Sequence, residues 1–363
     1  MFWDEFMKIK YYNIHDIFKV IIINNTNCNF FEMLNYEFSY FEVDFVENAD
    51  MTINIGNFFP QNESCYVIDH KYHIKNNYLY CQDSAGKLKW ETEINGFEYG
   101  KITININSLE KQTIFNLCLP LYTFLLEGML MYSLSNLGFH IIHAASISKD
   151  NKAVLLAGRG GSFKTSLVMD LVRELDYKYM SDDKIILHKN SAYSFPICID
   201  KFNFMLNNME NENYKNKLEK YTMLKSLLLE KDKIVKTKKY NFIENISSIE
   251  KLVFISKNKT SKVKLKKISD SEEIIKKLIE NNRLELCLNG SHLPSLTKMR
   301  TNPFYRYMLE YSYVYPQSGI AKYWENLTEN LTQILNFNEV YEIQMPYKYD
   351  IKYLEELKKY ISI

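Results

Sequence analysis

The chain has 363 residues, 46% of them hydrophobic and 25% charged, with 45 Lys and Arg against 44 Asp and Glu. At roughly 100–200 residues per domain that length holds two or three structural units. A net charge of +1 argues against a protein that grips nucleic acid through its overall field, and 15% aromatics argue against intrinsic disorder.

The six cysteines, Cys28, Cys65, Cys81, Cys118, Cys198 and Cys287, show no metal-knuckle or redox spacing. The opening MFWDEFMKIK places Asp4 and Glu5 where a signal peptide needs basic and then apolar residues. The best membrane candidate, Leu117 to Leu137, carries Pro120 and Glu127. A central carboxylate costs a spanning helix about 2.5–3.5 kcal/mol, so a buried helix is the better reading. The expectation is a reduced, cytoplasmic protein with neither membrane nor nucleic-acid partners.

Residues 1–112 read as a β-rich accessory domain. FKVIIIN, FSYFEVDFV, MTINIG and SCYVIDH are runs of β-branched and aromatic residues separated by turn formers. LYCQDSAGKLKWETEI reads as a hairpin, with Asp83, Ser84 and Gly86 at its turn. The texture changes near Leu109, and residues 113–200 read as an α/β core. An apolar helix over 113–136 leads to a strand FHIIHAASIS, a turn at Asp150-Asn151-Lys152, and a fully apolar strand AVLLAG. The helix after it puts Leu167, Val168, Leu171, Val172 and Leu175 on one face. YKYMSDDKIILHK reads as strand, acidic corner and strand, with NSAY turning into SFPICID.

Residues 201–250 read as a helical, Lys- and Asn-rich insertion, and 251–363 complete the core. That last part holds the strands KLVFISK and SKVKLKKIS and a helix capped by Ser269 with Glu272. It ends in the helix–strand–helix series KYWENLTENLTQIL, VYEIQM and DIKYLEELKKYI. Strands alternating with helices indicate an α/β sheet covered on both faces.

The informative segment is AVLLAGRGGSFKTSLVMDLV, in which Gly158 to Thr165 follow the Walker pattern G-x-x-x-x-G-K-[ST]. Consecutive N–H groups at a helix N-terminus, with no side chains in the way, surround phosphate oxygens. Lys164 would reach the β- and γ-phosphates and Thr165 would hold Mg²⁺. Phe163 stands where the pattern has glycine. The bland alternative is a plain strand-to-helix turn, with Lys164 as a solvated helix-start residue.

Asp182 and Asp183 close a strand shortly after that helix. In a parallel sheet the carboxyl end of that strand lies beside the loop, where one carboxylate orders Mg²⁺ and the other accepts a hydroxyl proton. Taken alone, the pair is equally a solvated turn. His143 ends FHIIH, and a lone His is more often structural.

The ordered set His143-Ala144-Ala145, GRGGSFKTS, SDDKIIL and FPICI resembles the HPr kinase/phosphorylase-like kinases, including kinases of peptide-modification gene clusters. The resemblance covers about 138–200 clearly and the final hundred residues by rhythm. It implies a P-loop kinase core of the HPr kinase/PEP carboxykinase-like type with a β-rich N-terminal domain. It implies ATP and Mg²⁺ as cofactors, with Gly158, Arg159, Gly160, Gly161, Ser162, Phe163, Lys164, Thr165 and Ser166 as the nucleotide cradle. Thr165, Asp182 and Asp183 become the magnesium-site residues. One of the two aspartates is the base, and His143 helps hold that acid or the phosphates.

Two departures stand out. Phe163 replaces the loop glycine, and no Glu-Ile-Arg-Gly signature follows Phe195-Pro196. The missing signature has candidate replacements in Lys201, Arg300 and Arg306. The expected activity is phosphorylation of a Ser or Thr hydroxyl in a peptide or protein, a ribosomally made precursor peptide among the candidates. The alternative is a catalytically impaired nucleotide-binding module that escorts a peptide. Oligomeric state is left open.

Overall fold

The computed structural model describes residues 7–26, 37–85, 88–109, 119–208, 240–259, 262–287, 302–335 and 337–362. Its strands begin with β1 (Lys8–Ile14), β2 (Phe18–Asn24), β3 (Glu42–Val43), β4 (Met51–Ile55), β5 (Tyr66–Ile68) and β6 (Tyr72–Lys75). They continue with β7 (Tyr78–Ala85), β8 (Leu88–Asn95), β9 (Ile102–Ser108), β10 (His140–Ile142), β11 (Ala144–Lys149) and β12 (Lys152–Ala157). The last six are β13 (Lys178–Ser181), β14 (Ile185–His188), β15 (Ser191–Tyr193), β16 (Ile246–Asn258), β17 (Lys264–Lys267) and β18 (Glu339–Pro346). The helices are α1 (Leu119–Asn136), α2 (Lys164–Glu174), α3 (Ile199–Asn208), α4 (Ser271–Cys287), α5 (Pro303–Val314), α6 (Tyr323–Ile334) and α7 (Tyr353–Ile361).

The result is a mixed α/β fold with a β-rich N-terminal region, divided into two compact units. Unit 1 comprises Met1–His143, Ile186–Asn190 and Ile268–Asn336; unit 2 comprises Ala144–Ile185, Ser191–Lys267 and Phe337–Ile363. Both units are discontinuous in sequence. No helix among the described residues is long and apolar enough to cross a membrane.

Unit 1 is built on a sheet in the order β3-β1-β2-β4-β9-β8-β7-β6-β5. Its alternation is strict: Val20 and Ile22 of β2, Ile53 and Ile55 of β4, and Ile104 and Ile106 of β9 all face the core. The opposite face carries Asn54, Asn105, Asn107, Glu91 and Glu93 at the alternate positions. There Glu93 accepts from Tyr78 Oη at 2.9 Å, the Gln61 N–H at 2.7 Å and Asn105 Nδ2 at 2.7 Å. Glu91 likewise accepts from Asn107 Nδ2 at 2.8 Å, so on this face the two buried carboxylates, Glu91 and Glu93, are satisfied by neutral donors.

Helix α5 closes the apolar face. Trp90 Nε1 donates to Tyr307 Oη at 2.9 Å, and Phe304 lies so close to α1 that a Cβ on Gly128 would come within 2.2 Å of its ring. Asn302 caps α5 by accepting from the Phe304 N–H at 2.9 Å.

Unit 2 holds a sheet in the order β15-β16-β12-β11-β13, with β18 beside β16 and β17 beside β18. β12 is buried along its length after Lys152, as expected for a strand with covered faces. β12, β16 and β18 run parallel; β11 is antiparallel to β12, and β13 is antiparallel to β11, which makes β13 parallel to β12. Leu167, Val168 and Leu171 of α2 are buried.

Four sequence expectations are corrected. FSYFEVDFV is not a strand: Ser39–Phe41 form a 3-10 turn that sinks Phe38 and Phe41 into the core, and only Glu42–Val43 pair. SFPICID is not a strand either, because the chain turns at Ile197-Cys198 and enters α3 at Ile199. The cap of α4 is Asp270 and not Ser269: its Oδ1 accepts from the N–H groups of Glu272 at 3.0 Å and Glu273 at 3.4 Å. The hairpin at 78–95 forms, but Asp83 pairs with Trp90 and Ser84 with Lys89, so these two lie in its strands and not at its turn as expected; Gly86 lies outside the described residues. Of the expected insertion over 201–250, α3 and residues from Tyr240 onward are seen; 209–239 lie outside the described residues.

Candidate functional site

Strand β12 ends at Ala157 and α2 begins at Lys164, so Gly158 to Phe163 form the connecting loop. The parallel register pairs Ala157 with Phe254, which carries the backbone of β16 directly past the loop. A Cβ at Gly158 would meet the Ile255 carbonyl oxygen at 2.4 Å and Ser162 Oγ at 2.8 Å. Only glycine allows that approach. Gly161 has φ +77°, the left-handed region that L side chains avoid.

Lys164 is buried, and its Nζ donates to the Gly158 carbonyl oxygen at 2.5 Å. The ammonium is therefore folded back across the loop and is not a solvated helix-start group. Ser162 is 5% exposed, and its Oγ finds no hydrogen-bond partner among the described residues. An orphaned buried hydroxyl inside a glycine-walled loop is a group that a ligand oxygen would satisfy. Arg159, Thr165 and Ser166 are half-buried, and Gly160 has open space around it.

Phe163 adopts φ 75° and ψ 13°, the left-handed conformation, and leads directly into α2. A bulky residue holds that region only when its surroundings compensate. Here the ring packs against Tyr349, centroids 5.4 Å apart, under the Lys257 ammonium at 4.0 Å. Tyr349 is itself fixed, its hydroxyl donating to Asp170 Oδ2 at 2.5 Å, while Arg173 holds Oδ1 at 2.7 Å. Burial and then that carboxylate push the Tyr349 phenol up. A left-handed conformation, which glycine adopts most readily, is thus held here by phenylalanine.

Asp182 and Asp183 leave the carboxyl end of β13 at the same end of the sheet as the loop. Ser146 faces Leu155 on one side and Ser181 on the other. One strand therefore intervenes, and the acidic corner sits about 10 Å across the sheet from β12. Asp182 Oδ1 accepts from Tyr179 Oη at 2.9 Å, which fixes its rotamer. Tyr179 is fully buried, and burial and then Asp182 raise its phenol well above the ordinary value. Asp183 pairs with Lys184 at 2.8 Å.

His143 closes unit 1 and is held there by α4. Its N–H donates to Asn282 Oδ1 at 2.6 Å, its carbonyl accepts from Asn281 Nδ2 at 2.7 Å, and its Nε2 lies 3.8 Å from Glu285 Oε2. Of the candidate signature replacements, Arg306 of unit 1 is engaged by Asp83 at 2.5 Å. Arg300 and the side chain of Lys201 lie outside the described residues.

Sequence reasoning missed Lys257, Tyr347 and Tyr349. Lys257 and Met345 are register partners on the parallel strands β16 and β18, so these residues also emerge at the carboxyl end of the sheet. The carboxyl ends of β12, β13, β16 and β18 thus present the glycine loop, the acidic pair, a lysine and two tyrosines along one end of unit 2.

Among the described residues no group of three or more His, Cys, Asp or Glu is gathered to hold a metal ion. Unit 1 has a separate open cleft of about 440 Å³. Its Glu98 carboxylate accepts from the N–H groups of Gly319 at 2.8 Å and Ile320 at 3.1 Å. No protein-family model matches the chain, and no curated protein sequence matches it.

Proposed function

We propose that unit 2 binds ATP and Mg²⁺ and transfers a phosphoryl group to a hydroxyl, that of Ser or Thr in a peptide or protein. On this reading the chain would be a P-loop kinase of the HPr kinase/PEP carboxykinase-like type, as the resemblance implies. The supporting observation is the loop itself: two positions closed to any side chain or right-handed backbone, Gly158 and Gly161, an orphaned Ser162 Oγ, and the Lys164 ammonium folded into the same space. Ligands of open α/β sheets bind outside the carboxyl ends of the strands, which is where this loop and the acidic pair lie.

The residues present fit the nucleotide and the metal. Lys164 and the N–H groups of Gly160, Gly161, Phe163, Lys164 and Thr165 would hold phosphate oxygens, the Ser162 N–H being taken by the Arg159 carbonyl at 3.1 Å, and Thr165 with Asp182 or Asp183 would hold Mg²⁺. Mg²⁺ is ordinarily bound by one or two carboxylates and the phosphates themselves, so no three-carboxylate cage is required. ATP supplies the γ-phosphoryl group, and Mg²⁺ neutralises charge on it.

The chain's own part is positioning and proton transfer. One of the aspartates would take the proton of the acceptor hydroxyl as that oxygen bonds to the γ-phosphorus and the bond from phosphorus to the β–γ bridging oxygen breaks, with ADP as the leaving group. Tyr179 keeps Asp182 in one orientation. His143 belongs to this reading through the resemblance alone. The test is transfer of labelled γ-phosphate to Ser- and Thr-containing peptides by the wild type, Lys164→Ala, Asp182→Asn and Asp183→Asn. Loss of transfer in Lys164→Ala and in one or both Asn variants is expected; wild-type transfer by Lys164→Ala overturns the assignment. Binding of ATP without transfer to any peptide supports the escort module instead.

A further inference from the structure

We propose that Lys257 is a second phosphate-binding cation of the loop, taking the outermost phosphate of a nucleoside triphosphate. The inference rests on the reading of the loop as a nucleotide cradle. Lys257 reaches the loop because β16 runs parallel to β12 and continues past Ala157, with Lys257 three residues beyond Phe254. Its Nζ lies 3.8 Å from where a Cβ of Gly161 would stand, 4.0 Å from the Phe163 ring centroid and 5.6 Å from that of Tyr347.

The other lysine of β16 shows what an engaged side chain looks like on this strand. Lys251 pairs with Glu339 at 2.9 Å and donates to the Ser362 carbonyl at 2.6 Å. Lys257 rests on aromatic faces, which satisfy an ammonium with three N–H donors less well than anionic oxygens do. Its place beside Gly161 puts it where such oxygens would arrive if the loop holds phosphates.

Burial divides the work between the two lysines. Lys164 is 6% exposed at the start of α2 and serves the phosphates seated within the loop. Lys257 is exposed at the rim and serves the phosphate that projects furthest out. This division makes Lys257 a determinant of phosphate-chain length. It also gives Phe163 a part in the proposed site: the ring that fills the left-handed position is the resting place of the second cation.

The experiment is calorimetric titration of ATP, ADP and AMP, each with Mg²⁺, into the wild type, Lys257→Met, Lys257→Arg and Lys164→Met. The expectation for Lys257→Met is a loss of about 10- to 100-fold in ATP affinity, about threefold or less for ADP and none for AMP. Lys257→Arg restores ATP affinity, since it keeps the charge. AMP binding and an unchanged near-ultraviolet circular dichroism spectrum show that Lys257→Met is folded. Equal losses for ATP and ADP, or no loss for ATP while Lys164→Met abolishes binding, overturn the role of Lys257 and leave the loop assignment standing. No ATP binding by the wild type overturns both.

Discussion

Phe163 offers the sharpest test of the loop conformation, because the two simplest truncations should separate. The ring contributes an aromatic pair with Tyr349, about 0.5–1.5 kcal/mol, and a cation–π contact with Lys257, about 0.5–1 kcal/mol. Both Phe163→Ala and Phe163→Gly lose these. Only glycine also removes the left-handed penalty at φ 75°, about 1–2 kcal/mol for a residue with a Cβ. Glycine returns about 0.5–1 kcal/mol of that through the greater freedom of its unfolded chain. The net expectation is that Phe163→Gly stays within about 1 kcal/mol of the wild type, while Phe163→Ala falls about 1 kcal/mol below Phe163→Gly. Urea unfolding of the three proteins, compared at constant m-value, reads the difference directly. At a right-handed or extended position the order reverses, and alanine is the more stable. Finding Phe163→Ala equal to or above Phe163→Gly would refute the left-handed loop and the argument that the ring contacts hold it there.

Two further predictions concern unit 1. Asn282 is 1% exposed and bonds both the His143 N–H and the Ile141 carbonyl, so Asn282→Ala removes a hydrogen bond from each of two buried backbone groups and should cost about 2–4 kcal/mol in urea unfolding; a cost under about 0.5 kcal/mol would show that water or a shift replaces those bonds. Burial, and then the neighbouring His188, push the His140 imidazole down to about 4. Its folded value lies below its unfolded one, so the neutral ring's contribution is complete above about pH 6.5 and is lost as pH falls toward 4, amounting to about 2–3 kcal/mol by pH 4.5. Comparing the wild type with His140→Gln at pH 7 and pH 4.5 isolates this share, and parallel pH dependences in the two proteins would contradict it.

The sheet of unit 1 was legible wherever alternation was strict, as in FKVIIIN and MTINIG, because a period of two admits only one buried face. FSYFEVDFV failed because its aromatics at Phe38 and Phe41 are three apart, a spacing that a 3-10 turn buries as well as a strand does. Ser269 lost the cap to Asp270 because Asp270 and Glu273 repeat the same capping-box spacing one residue later. The glycine loop could be read from local sequence, since strand, loop and helix are contiguous there. Lys257 and Tyr349 could not, because only the parallel pairing of β12, β16 and β18 brings them to the loop. Nor does any local pattern reveal that the ring of Phe163 has partners, and without them the residue reads as a defect in the motif.

The central claim is that this loop is a nucleotide-phosphate site organised by Lys164. Calorimetric titration of Mg²⁺-ATP into the wild type and Lys164→Ala tests it most directly, with Tyr313→Ser, at an exposed position outside the loop, as the control. Saturable binding of one ATP per chain is expected in the wild type and in Tyr313→Ser, and its loss in Lys164→Ala. Absence of ATP binding by the folded wild-type protein, or equal affinity in Lys164→Ala, would contradict it.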